Sequence, residues 1–230
     1  MSWILSFYRS AIGKKAVMAV TGVFLFGWVF AHMLGNLKLY AFIGGPEHFN
    51  AYAAWLRTMG APAVPHSVGL WVTRIAMLLF VYLHIDAATR LTLMNRAARP
   101  LAYRERDYVI ANYASRTMRW GGVIILLFVI YHLAHLTWGV KALNPQFVEN
   151  DPYHNVVTGF RIWWASAIYI VANLALGLHL YHGLWSMFNS VGLSHVNFNP
   201  WKRLFATTFA VIITVANVSF PAMVLAGVIR

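Results

Sequence analysis

Residues 174–185 read LALGLHLYHGLW, which sets His179 and His182 inside an apolar run long enough to cross a bilayer. An ionisable ring at hydrocarbon depth is costly, so a histidine there marks a functional position by default. Three other apolar runs carry a histidine at a comparable place: His32 in FGWVFAHMLGN, His84 in LLFVYLHIDAA and His132 in LLFVIYHLAHL.

Working outward, 60% of the 230 residues are apolar and only 10% are charged, against about 25% charged in an ordinary soluble domain. The composition predicts an all-α integral membrane protein forming one membrane domain. A span needs roughly 20 apolar residues, and five segments qualify, at about residues 16–37, 67–93, 117–139, 160–189 and 204–228. Residues 1–15 read as an interfacial segment with a basic flank. A signal peptide is rejected there, because the run that follows has full spanning length and no small-residue cleavage site. Residues 38–67 read as a polar, aromatic loop with a short interfacial helix through 49–59, stopped by Pro62 and Pro65. Residues 141–159 read as a second loop, and the fifth span, without histidine, as a packing helix.

The chain has no cysteine and a formal net charge of +12. Lack of cysteine excludes an iron–sulfur cluster, a disulfide and covalent haem attachment on this chain. The basic charge does not point to nucleic acid, because it falls in short loops between spans. Lys and Arg number 3 at the N-terminus, 7 from Arg90 through the loop between the second and third spans to Arg119, and 2 before the fifth span. The other side holds Lys38, Arg57, Lys141, Arg161 and Arg230. That bias of 12 to 5 predicts a cytoplasmic N-terminus, and five spans require the C-terminus outside.

Depth then pairs the histidines. At about 1.5 Å per residue, His32 and His132 lie roughly 24 and 22 Å from the cytoplasmic starts of their spans, near the outer face. His84 and His179 belong to spans running the other way and come to rest near the inner face. Two pairs of neutral imidazoles at two depths suit haem iron, in a non-covalent b-type site with both axial positions filled. Two such centres, roughly 15 to 20 Å apart along the normal, would form a two-step electron wire. The anionic propionates need basic partners, for which Arg90, Arg161 and Arg74 are candidates. A snorkelling topological charge is the equal alternative for each. His135 and His182 each lie three residues from a proposed ligand and so on a neighbouring face. His182 reads as a propionate or quinone-side residue. The loop histidines and the tryptophans near span ends read as interfacial residues.

The sequence resembles the five-helix, dihaem cytochrome b subunit of succinate dehydrogenase and fumarate reductase complexes over nearly its whole length. The resemblance rests on AHMLGN in the first span, LHIDA in the second, IYHLAH in the third and HLYHGLWSMFNSVG in the fourth. It selects His179 over His182 and His132 over His135, and pairs the first ligand helix with the third and the second with the fourth. It implies two haem b groups and a membrane anchor, in the plasma (inner) membrane, for a flavoprotein and an iron–sulfur protein docked on the cytoplasmic face. Succinate would be oxidised in a partner subunit, as a step of the tricarboxylic acid cycle. Electrons would pass on to quinone, usually menaquinone in this family. Higher oligomers of the whole complex are allowed. The basic inner loop offers a docking surface, with Arg104 and Arg106 at its centre.

Quinone residues do not transfer by motif. A quinone needs a hydrogen-bond donor beside a haem, and both ends offer candidates: Arg9 and Ser10 inside, His48, Tyr52 and His66 outside. A wire that reaches the outer face predicts a quinone site beside the His32–His132 pair. The rival readings are a cytochrome b anchor of another quinone-linked enzyme, such as a hydrogenase or formate dehydrogenase, and a haem-free anchor or transporter subunit. The bc-type cytochrome is disfavoured, because its two ligands per helix lie over ten residues apart and the doublets here are three apart.

Overall fold

The computed structural model describes residues 2–98, 113–190, 192–193 and 195–230, with side chains for all of these except 2, 113–117 and 196. The heart of the expected docking loop, including Arg99, Arg104 and Arg106, lies outside the described residues. Eight helices are seen among the described residues: α1 (Ser2–Arg9), α2 (Ala11–Asn36), α3 (Gly45–Thr58), α4 (Val68–Ala97), α5 (Tyr113–Leu136), α6 (Pro152–Arg161), α7 (Trp163–Ser190) and α8 (Asn199–Leu225). Five of them, α2, α4, α5, α7 and α8, are long and apolar enough to cross a membrane. This is the architecture of a multi-pass helical membrane protein. The spans alternate in direction, so α2, α5 and α8 start at the face carrying the N-terminus and α4 and α7 start at the far face.

Local chemistry sets the ends of these helices. Ser10 caps α2 by accepting from the Gly13 N–H at 3.0 Å, while its own hydroxyl donates to Phe7 O at 2.7 Å, which fixes the corner between α1 and α2. A Cβ at position 13 would overlap the Phe7 carbonyl, so the corner requires glycine. On the far face, Asp151 caps α6 through the His154 N–H at 3.1 Å, and Pro152 fills the first turn, where no N–H is needed. Residues 152–159, expected as loop, are therefore helical. The backbone turns to an extended conformation at Ile162, so the fourth span begins at Trp163 and not near residue 160. The third span stops at Leu136, short of residue 139, where Gly139 takes a φ of 62° under the Phe147 ring.

Packing divides the bundle into α2 on α4, α5 on α7, and α8 on the outside of α7. The α7–α8 contact is the closest: a Cβ at Gly177 would overlap Thr214 Oγ1, with Ala206, Ala210 and Ile213 buried alongside. Small residues that let backbones approach are the usual means of holding helices together where no water drives association. The main apolar core lies toward the far face, where Leu39, Phe49, Val157, Phe160, Phe220 and Val224 close on Tyr169. There α3 and α6 form a cover, tied by Asn50 Nδ2 donating to Asp151 Oδ1 at 2.9 Å and the Tyr153 N–H donating to Asn50 Oδ1 at 3.0 Å. The outward sides of α4 and α5 are apolar and bare, as with Leu78 and Leu127, which suits contact with lipid chains.

Candidate functional site

Four histidine rings stand between the α2–α4 layer and the α5–α7 layer. His32 on α2 faces His132 on α5 with ring centroids 5.9 Å apart, and His84 on α4 faces His179 on α7 at 6.4 Å. An imidazole nitrogen binds a transition metal at about 2.0–2.1 Å, and the ring centroid lies roughly 1.1 Å behind that nitrogen, so two rings on opposite sides of one metal have centroids about 6.3 Å apart. Both pairs fit this spacing. Two opposed imidazoles are the donor set of a metal that brings its other ligands with it, as haem iron does. His32 is exposed and the other three rings are half-buried, although all four lie within apolar spans, so there is room beside them for a flat group. The site residues fit haem.

The separation of the pairs can be read along α2. Thr21, which touches His84, lies eleven residues before His32, a rise of roughly 16 Å at about 1.5 Å per residue. The second layer repeats the pattern. His179 packs its Cε1 3.7 Å from where a Cβ of Gly122 would stand, as His84 packs its Cε1 3.6 Å from that of Gly22. Each glycine precedes its span's histidine by ten residues, Gly22 before His32 and Gly122 before His132. That Gly-x9-His repeat was a legible signal of two like half-sites, and sequence reasoning passed over it.

A hydrogen bond fixes the tautomer of His84. Thr21 is 3% exposed and donates its hydroxyl to Val17 O at 2.7 Å, so its oxygen accepts from His84 Nδ1–H at 3.1 Å. That leaves His84 Nε2 as the lone-pair nitrogen, the state a ligand requires. His132 Nδ1 lies 3.1 Å from the Tyr169 hydroxyl. His179 Nδ1 is buried with no hydrogen-bond partner among the described residues, and Gly121 occupies the place that corresponds to Thr21. His135 is sealed from solvent, stacks on Tyr131 and shares the same Tyr169 hydroxyl at 3.1 Å. It does not face His32. His182 is half-buried and stands outside the facing pair. Neither Thr21 nor Tyr169 was singled out from sequence.

The basic candidates divide. Arg90 Nε donates to Asp86 Oδ1 at 2.6 Å, so the arginine expected near a propionate is engaged by a carboxylate one turn earlier. Asp86 Oδ2 also takes Lys14 Nζ at 3.3 Å and the Tyr8 hydroxyl at 3.0 Å, joining α1, α2 and α4 two residues from His84. Lys14, read from sequence as a topological flank, is 2% exposed, with its ammonium over the Tyr8 ring. Lys202, read the same way, is 4% exposed and donates to Asn189 Oδ1 and Leu193 O. Arg74 is exposed and lies over the Trp71 ring, and Arg161 is exposed at the end of α6.

Of the quinone candidates, Ser10 is used as a helix cap, and Arg9 lines a shallow open groove with Leu5 and Ser6. His48 and His66 are exposed. Tyr52 alone of the five packs toward a histidine pair: its ring is half-buried against Gly35, three residues beyond His32. No protein-family model, curated protein or solved structure matches this chain.

Proposed function

We propose that the chain is the dihaem cytochrome b membrane anchor of a succinate:quinone oxidoreductase, passing electrons between an iron–sulfur partner and membrane quinone. The observation that carries this reading is the two facing imidazole pairs, 5.9 and 6.4 Å between centroids, at two levels of one bundle. His32 and His132 hold one haem b, and His84 and His179 the other. When bound, each haem would supply a one-electron carrier. The chain orients one ring of each pair by a hydrogen bond, His84 through Thr21 and His132 through Tyr169.

The parent enzyme and orientation rest on other grounds. The four histidine motifs support a succinate dehydrogenase or fumarate reductase complex. The 12 to 5 bias of Lys and Arg supports a cytoplasmic N-terminal face, where the flavoprotein and iron–sulfur protein would dock. Tyr52 beside Gly35 supports a quinone site, for menaquinone, next to the His32–His132 pair.

A reduced-minus-oxidised spectrum with a pyridine haemochrome count on the purified complex tests the reading. Two haem b per chain, reducible by succinate, are expected. Replacing His84 or His179 by alanine should remove one haem, replacing His32 or His132 the other, and His182→Ala should keep both. A fully loaded preparation with no haem, or with one, overturns the dihaem assignment. Two haems that succinate cannot reduce overturn the choice of parent enzyme alone.

A further inference from the structure

Tyr169, 5% exposed on α7, holds its hydroxyl 3.1 Å from Nδ1 of both His132 and His135. A phenol has one proton to give, so it donates to one ring and accepts from the other. With His132 turned toward His32 as an Nε2 ligand, its neutral ring carries the proton on Nδ1. The order follows: His132 Nδ1–H donates to Tyr169 Oη, Tyr169 O–H donates to His135 Nδ1, and His135 keeps its own proton on Nε2. That Nε2 is buried without a partner among the described residues, and so is Asn144 Oδ1. The two side chains meet over Gly159, where a Cβ would lie 2.8 Å from His135 Nε2 and 3.2 Å from Asn144 Nδ2. Asn144 is held in turn by donating to Asn155 O at 3.0 Å. At the His84–His179 pair the corresponding relay involves no second imidazole: Thr21 accepts from His84 Nδ1–H and donates to the backbone at Val17 O.

We propose that Tyr169 and His135 are positioning residues for the His32–His132 centre, locking His132 as the Nε2 ligand and strengthening its electron donation, so that the midpoint potential of that centre alone is lowered. This rests on the dihaem reading. A ligand imidazole that donates to a good acceptor gains anionic character and favours ferric over ferrous iron. A phenol oxygen that itself donates onward is the better acceptor, because successive hydrogen bonds polarise one another. His135 therefore acts through Tyr169, and Tyr169 through His132.

The test is a redox titration of the purified complex, followed in the haem absorbance bands, with electron paramagnetic resonance of the ferric centres. Tyr169→Phe should keep both haems, raise the midpoint of the centre that His132→Ala removes, change that centre's g-values and leave the other centre alone. His135→Leu should shift the same centre in the same direction by less. His135→Gln, which restores an acceptor for the tyrosine proton, should return it toward the wild-type value. Unchanged midpoints and g-values in both Tyr169→Phe and His135→Leu overturn the proposal, as does a shift in the His84–His179 centre. If Tyr169→Phe sheds a haem, equal midpoints in His135→Leu and His135→Gln overturn it. Wild-type complex without haem overturns the underlying dihaem reading instead.

Discussion

Thr21→Val isolates the hydrogen bond that orients His84. Valine keeps the branched shape and removes only the acceptor for His84 Nδ1–H, now 3.1 Å from Thr21 Oγ1. The helix loses little, since the contact from the hydroxyl to Val17 O supplements the ordinary backbone ladder. Thr21 is 3% exposed, so water does not replace the lost oxygen. A buried donor left unsatisfied costs about 1–3 kcal/mol, which corresponds to roughly 5- to 150-fold in affinity for a haem held by that ring. Loss of an outer-shell partner to a metal-bound histidine costs roughly 10- to 100-fold by a separate line of experience. The two ranges overlap, and a loss of tens-fold is expected. The assay is transfer of haem from the detergent-purified complex to an excess of a high-affinity haem-binding protein, followed in the Soret band. Thr21→Ser keeps the oxygen and should transfer like wild type. Retention within about twofold in Thr21→Val would refute the reasoning, and so would selective loss of the haem that His32→Ala removes.

Asp86→Leu should lower the thermal midpoint of the complex, because Lys14, 2% exposed, would keep a buried charge with no carboxylate; removing one partner of a buried pair costs about 3 kcal/mol. A midpoint within a degree of wild type would show the pair to be dispensable. Gly177→Ala should cost about 1–3 kcal/mol as its Cβ meets Thr214, and Thr214→Ala in the same chain should recover most of the loss; purely additive effects in thermal melts would exclude this contact. The carboxyl of Asp151 is held below its usual range first by the Asn50 amide and then by the His154 N–H. A group whose folded value is depressed stabilises the fold above its unfolded value, about 3.9, and loses that contribution as pH falls through the folded value. Asp151→Asn should accordingly melt lower than wild type at pH 7, with the gap closing below about pH 4; a pH-independent gap would assign the effect to the lost geometry.

Much of the bundle is legible one span at a time. Apolar length names five crossing helices, and a rise of about 1.5 Å per residue turns the positions of His32, His84, His132 and His179 into two depths. Alternating direction then says which rings share a level. The helix at α6 was within reach as well, since Asp151 followed by Pro152 is a helix start, but the polar stretch around it reads as loop until Val156, Val157 and Phe160 are seen to be buried. Lys14 and Lys202 mislead for a different reason. A lysine at the end of a span is usually a snorkelling charge, and nothing near either one in the chain announces that Asp86 and Asn189 will accept its hydrogen bonds.

What the sequence determined by itself is the set of quantities that depend only on approximate distance along a helix: the number of spans and the two-level arrangement of imidazoles. What only the tertiary structure decided is rotation about each helix axis and contact between distant segments. Depth leaves His132 and His135 nearly equal, one turn apart. Packing turns His132 to within 5.9 Å of His32 and drives His135 into the far-face core against Tyr131 and Gly159. Tyr169, 37 positions beyond His132 in the chain, reaches both rings because α5 and α7 lie side by side, a relation set by the complementary shapes of two whole helix faces and by no local signal in either.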